Sequence, residues 1–298
     1  MTTKSLRPTT RRRYDHVVPR SYLSGFIHPL RASEQKKLWV FDVREKTWIE
    51  RSPKEIGGEV GFYDYSFGSK PDQTADQAFT SLEKEFPLVR TRILESGFAA
   101  WRQHLDFLLE YFQMLRARSF LFRKELVAQA DSSEFFELTE SVRKEVDWKN
   151  PGGAGFDVWK IAEVAFPDPR EKQVLLKNKA ITDMREEVRK GVDWFQNFHW
   201  ALRYTRDPDN PVITSDNCLV MTGEPTNRES ALTHPETLIF LPLSWQACLI
   251  GSPLQFNAET DTFHPSDLIR TRRIFAANAE KFIVSPCRLS LTPLETLC

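Results

Sequence analysis

No run in the 298-residue sequence approaches the ~18 consecutive apolar residues that a membrane-spanning helix needs. No membrane contact is therefore expected. Net charge is also missing: 41 Lys and Arg balance 41 Asp and Glu. That balance argues against nonspecific coating of nucleic acid, while a local basic patch stays open. Cysteine is scarce, and Cys218, Cys248, Cys287 and Cys298 form no Cys-x-x-Cys pair. Scattered thiols in a chain of this size point to a reducing cytoplasm rather than to disulfides. The basic opening "MTTKSLRPTTRRRYD" is followed by no apolar segment, so no secretory signal is expected and the location expected is cytoplasmic. No two histidines stand at metal-ligand spacing, and no phosphate loop or Gly-x-Ser-x-Gly elbow occurs. Neither metal nor cofactor is expected.

What the chain has is aromatic bulk. Its 22 Phe and 8 Trp, with 41% hydrophobic residues overall, suffice for a large core. Residues 1–13 read as a flexible basic tail, and 14–298 as one α+β domain with a candidate subdomain break at "NPGGAGFD", 150–157. "KKLWVFDVREKTWIERS" reads as a β-hairpin with Trp39, Phe41 and Val43 on one face and Arg44-Glu45-Lys46 at the turn. From Thr74 the apolar period becomes helical through Ala78, Leu82, Phe86, Val89 and Ile93. Thr74 and Asp76 are N-cap candidates, Gly97 a stop, and Pro87 a kink or split. Further helices are predicted at 104–129, 133–148, about 171–198 and 266–282. "HWALRYTR", "PVITSDN", "TLIFLPLS" and "QACLIGS" read as strands. The fold class is α+β: an N-terminal β-hairpin, a helical middle, and a mostly antiparallel C-terminal sheet with a terminal helix.

A few polar residues stand out, each with two readings. His16 in "YDHVVPRSYLSGF" is either a proton-transfer group or a ring that pins the bend at Pro19 by bonding a backbone carbonyl. Gln113 and Arg116 lie three apart on one helix face, and Arg123 lies two turns beyond Arg116. Together they could form a track for phosphate or carboxylate, since an arginine fork donates two parallel bonds. The helix around them is apolar, so an arginine there needs either an anionic ligand or a structural carboxylate, for which Asp216 is a candidate. Ser215, Asp216 and Asn217 end a strand, where functional side chains are often displayed, yet Ser-Asp-Asn is equally good turn chemistry. Glu83 and Glu85 read as a solvated helix face, and His264 as a helix start.

Several segments in order resemble the bacterial family known as domain of unknown function 4238. They are "HVVPRSYLSGF", the hairpin "KLWVFDVREKTW", "FYD", "SLEKEF", Gln113 and Arg116 in "YFQMLRARS", "VITSDN", "FLPLS" and "RRIFAANAEKF". The resemblance spans about 14–285. One departure is notable: the family commonly has Pro two residues after the central arginine, where this chain has Arg118. The resemblance implies candidate positions and no activity. From residue chemistry, the leading expectation is a metal-independent nuclease or other phosphodiester-acting enzyme of bacterial defence or toxin type. His16 would be the acid or base, with Arg116 and Gln113 on the phosphate and Asp216 as orienter. Arg20, Arg123, Ser215 and Asn217 would line the substrate, nucleic acid or another anionic ligand. The alternative is a non-catalytic binding or anion-sensing module using the same arginine helix.

Overall fold

Alternate side chains of the C-terminal strands enter two separate apolar cores. This computed structural model describes residues 14–28, 36–60, 74–122, 124, 188–222 and 234–289. The basic tail, the helix expected at 133–148, the break at 150–157 and most of the helix expected at 171–198 lie outside them. A five-stranded sheet is built from β5 (His199–Tyr204), β7 (Val220–Met221), β8 (Ile239–Ser244), β9 (Ala247–Ser252) and β10 (Thr260–Thr262), in the order β10-β5-β9-β8-β7. Its pairings are antiparallel except β10 with β5, which is parallel. Ile239, Leu241, Ala247 and Leu249 join one core, while Phe240, Cys248 and Ile250 join the other. A strand covered on both faces needs apolar residues at consecutive positions, which is why these segments read as unbroken apolar runs.

The hairpin forms as its pattern predicts, with β2 (Leu38–Asp42) paired to β3 (Thr47–Arg51). Asp42 Oδ1 accepts from the backbone N–H of Arg44 (2.9 Å) and Glu45 (3.0 Å), holding the turn, and Lys46 takes a positive φ of 51°. The hairpin does not stand alone. β2 pairs with β11 (Phe282–Ser285), which pairs with β6 (Thr214–Ser215), giving a second sheet β3-β2-β11-β6. It divides the same two cores: Leu38, Val40 and Val284 face one, Phe41 and Ile283 the other. A small ribbon of β1 (Tyr14–His16) and β4 (Gly58–Val60) completes the strands.

Helices cover the first core. α2 (Thr74–Glu95) carries Pro87 internally and stays one element, ending before Gly97 and Phe98, both at positive φ. The long helix expected over 104–129 is interrupted. α3 (Leu105–Ala117) ends at Arg118, and helical structure resumes at residue 120. Ser119 causes the restart, because its Oγ accepts from the Phe122 N–H (3.1 Å) as an N-cap does. Helical residues 188–195 precede β5. The terminal helix α4 (Pro265–Ala277), capped by the His264 ring, seals the second core with Leu268, Phe275 and Ala276.

Trp200 crosses the sheet where β9 has Gly251, its register partner; a Cβ there would lie 2.8 Å from the indole ring. Gly251→Ala is expected to destabilise by about 1–3 kcal/mol through overpacking. The measurement is a lower denaturant midpoint at unchanged slope.

Candidate functional site

Everything around His16 is arranged by two buried arginines. α1 (Arg20–Leu23) starts at Pro19, whose carbonyl accepts from the N–H of Tyr22 and Leu23, both 3.1 Å. So short a helix leaves its last carbonyls without intrahelical partners. Arg90 of α2 supplies them: its Nη1 donates to the Ser21 (3.0 Å) and Tyr22 (3.1 Å) carbonyls, and its Nη2 to Ser24 Oγ (3.1 Å). The Tyr22 hydroxyl shares a 2.8 Å hydrogen bond with Thr214 Oγ1 on β6.

Arg118 is the second. It is 2% exposed, pairs through Nη1 with Glu83 of α2, and donates through Nη2 to the backbone carbonyl of His16. Glu83, read from sequence as solvated, is thus a structural carboxylate. Its position is explicable: Phe79, Glu83, Phe86, Arg90 and Ile93 step by four, three, four and three along α2, one inward stripe that carries the buried Arg90 and the partly buried Glu83.

The His16 side chain is half-buried, and its Nε2 accepts from Arg20 Nε (2.8 Å). Burial first, then the Arg20 charge, hold the imidazole below its ordinary pKa, with Arg118 adding to the effect. A hydrogen bond to the Lys54 backbone opposes the shift without cancelling it. At neutral pH the ring is therefore an uncharged base whose lone pair points at an exposed guanidinium.

Gln113 and Arg116 sit elsewhere on α3. At ~100° per residue, Arg116 and Arg118 project about 160° apart, so the arginine at His16 is Arg118 and not Arg116. Arg116 lies over the Phe122 ring (4.6 Å to the centroid) and donates weakly to Gln113 Oε1 (3.4 Å). Gln113 is 1% exposed, and its amide Nε2 has no hydrogen-bond partner. Its amide packs so tightly on Gly191 that any Cβ there would overlap it. The helix breaks at Ser119, three residues after Arg116; Arg123 lies outside the described residues.

Asp216 faces neither group. Its Oδ1 accepts from the backbone N–H of Glu280 (3.1 Å), Lys281 (3.2 Å) and Phe282 (3.2 Å), fastening the start of β11 to the loop after β6. The described hydrogen bonds join it to none of His16, Gln113, Arg116 or Arg118. Burial raises its pKa, against the lowering effect of those three bonds. Ser215 Oγ donates to the Asn217 carbonyl (3.0 Å) and accepts from the Asn217 N–H (3.2 Å), which is the turn chemistry. Burial likewise lifts the Cys218 thiol far above its ordinary value, so it is no thiolate. Among the described residues, no group of His, Cys, Asp and Glu could hold a metal ion.

The structure therefore brings together His16 with Arg20 and Arg118, and Gln113 with Arg116, while Asp216, Ser215 and Asn217 form a third, separate cluster. Arg90 was not among the sequence candidates, and Arg118 entered only as a second arginine beside Arg116. The signal for Arg90 was a charge at a stripe position on α2. A family described as "Protein of unknown function (DUF4238)" matches residues 14–286. The chain belongs to this family. No curated protein and no solved structure matches it.

Asp216→Ala strips three backbone N–H groups of their acceptor and should destabilise by about 2–3 kcal/mol, whereas Asp216→Asn keeps an acceptor and loses much less; chemical denaturation distinguishes them. His16, with its folded pKa depressed, contributes stability in full above the ordinary histidine value, lost as pH falls through the lowered one. Arg20→Ala should raise the His16 titration, seen in the imidazole NMR signals, and an unmoved titration would contradict the assigned cause.

Proposed function

We propose that this protein binds an anionic ligand, with phosphodiesters of nucleic acid as the favoured class, on the α3 face that bears Gln113 and Arg116. The observation that carries the reading is the buried Gln113 amide N–H, which lacks an acceptor while its Oε1 sits against the Arg116 fork. A buried donor without a partner costs about 1–3 kcal/mol. A phosphate or carboxylate oxygen held by Arg116 is the acceptor that amide lacks, and arginine has the planar geometry to hold it.

A phosphodiester-cleaving reading is the second, favoured by the depressed pKa of His16. In the base form at neutral pH, Nε2 could take the proton of an attacking hydroxyl once a substrate phosphate draws Arg20 away; the leaving oxygen then departs with its bonding pair and is protonated by water. Such base catalysis is worth ~10²–10⁴ in rate. Because Asp216 is committed to backbone N–H groups, it has no part in this version. A cytoplasmic setting fits the free Cys218, Cys248 and Cys287. No helix among the described residues is long and apolar enough to cross a membrane.

The test is binding of a short single-stranded oligonucleotide against salt concentration. Arg116→Ala should weaken binding and reduce the log–log salt slope by about one. Gln113→Leu should weaken binding while raising stability by about 1 kcal/mol, since it removes the unsatisfied donor. Absence of binding by the wild type, or equal binding by both variants, refutes the reading. Loss of nucleic-acid cleavage in His16→Ala with binding retained would support the enzyme, and equal cleavage by wild type and variant would remove His16 from the chemistry.

A further inference from the structure

The two buried arginines differ in one respect. Arg118 has the Glu83 carboxylate, whereas among the described residues no carboxylate pairs with Arg90, which is 8% exposed. The Arg90 acceptors are all neutral: two carbonyls on Nη1 and the Ser24 hydroxyl on Nη2. Burial lowers its pKa, opposed by the phenols of Tyr111 and Tyr22. A guanidinium out of water is stabilised most by a hydrogen-bonded anion. Arg90 has the fork for one and no acidic side chain to fill it.

Ser24 is the point at which an anion can reach it. The residue is exposed in the turn after α1, yet its Oγ lies 3.1 Å from Arg90 Nη2. Gly25 permits the approach, since a Cβ there would lie 2.4 Å from Nη1. The same hydroxyl donates to the Ser21 carbonyl (2.7 Å). A second guanidinium stands one helical turn away. Ser24 keeps helical backbone angles (φ −59°, ψ −21°), so Arg20 and Ser24, four residues apart, share one face. Arg20 is exposed and donates through Nε to His16, and no contact among the described residues engages its Nη1 or Nη2.

We propose that Ser24 is a phosphorylation site, and that its phosphoserine is held between the Arg90 and Arg20 guanidinia and draws Arg20 off His16. The reaction needs a protein kinase and a nucleoside triphosphate. Ser24 Oγ attacks the γ-phosphorus and the Oγ–P bond forms. The bridging P–O bond breaks with its electron pair going to the nucleoside diphosphate, and the hydroxyl proton passes to a base of the kinase. The product carries about −1.5 to −2 charge at neutral pH and three acceptor oxygens, which arginine forks match. These charge-assisted bonds offset the loss of the Ser24–Ser21 bond. The modification acts on the His16–Arg20 contact. It uses neither Gln113 nor Arg116, so it is independent of the anion reading of that face.

The experiment has two arms. Mass spectrometry of the full chain purified from its native cells should find phosphate on Ser24 in the tryptic peptide Ser21–Arg31, with fragmentation separating it from Ser21. The second arm uses the full chain with phosphoserine installed at position 24 during translation. By phosphorus NMR the phosphate should titrate about half a unit or more below its ordinary ~6, because two guanidinia favour the dianion. The His16 imidazole should titrate higher than in the unmodified chain, since the Arg20 charge that lowers it has been drawn away. In Arg20→Ala, at an exposed position, phosphoserine should move His16 less, while Arg90 keeps part of the phosphate shift. A native chain unmodified at Ser24, a phosphate titrating at its ordinary value, or an unmoved His16 titration overturns the proposal.

Discussion

The structure around His16 depends on one buried charge. Arg118 is removed from water almost completely, and it holds two things at once: the Glu83 carboxylate on α2 and the carbonyl of His16 on β1. A buried guanidinium without a counter-charge is strongly destabilising, roughly 3–5 kcal/mol when a pair is broken, so these three elements must meet. Arg90 repeats the arrangement one step along the chain, its fork meeting the carbonyls at the end of α1. The segment from Tyr14 to Phe26 is made of elements of only three or four residues each, too short to hold themselves. It is held in place by side chains from two helices that arrive much later in sequence.

Aromatic packing then fills the space the arginines define. Phe86 stacks on Tyr111 at 3.9 Å between centroids, with planes 4° apart, and Tyr22 meets Phe112 edge-on. These rings join α1, α2 and α3 into the first core. The Tyr22 hydroxyl reaches Thr214, tying that core to the sheet containing the hairpin. Asp216, two residues on, fixes the start of β11 beside it. Of the two sequence readings of Ser-Asp-Asn, the turn is the one its contacts follow: it is the joint at which one sheet is fastened, with Ser215 Oγ and Asp216 Oδ1 directed at backbone.

The sequence was most legible where one physical signal dominates. The hairpin follows from alternation and a turn whose Asp42 can bond its own backbone, and α2 from a helical period strong enough to absorb Pro87. The fate of the hairpin was not legible, because its partner β11 lies some 240 residues away and no local pattern encodes that pairing. The break in the expected 104–129 helix was hidden by the absence of Gly and Pro; a serine hydroxyl caps a new helix start without either. Charge was the hardest to read. Glu83, Arg90 and Arg118 look like surface residues by type, yet Arg90 and Arg118 are buried and Glu83 partly so, and on α2 only the stripe positions show it. The candidate site divided accordingly: Gln113 and Arg116 are together as their three-residue spacing requires, whereas contacts of His16 and Asp216 across distant segments had no spacing to betray them.

Three buried polar atoms among the described residues lack partners: Trp48 Nε1, the Tyr111 hydroxyl and Gln113 Nε2. The first two belong to rings whose bulk is wanted regardless of the polar atom. Trp48 packs on Phe41 at 5.5 Å, and Tyr111 lies in the aromatic stack. Their unmet bonds are offset by large apolar contact. Gln113 has no such justification. Leucine or methionine would occupy similar volume against Gly191 with no amide to satisfy, so for stability alone an apolar residue is better at that position. Local rules that fail without a packing gain are expected at functional sites. That contrast between a glutamine whose packing an apolar side chain of like volume would supply and two aromatics whose ring bulk is needed is what separates the Gln113–Arg116 face from the remainder of the core.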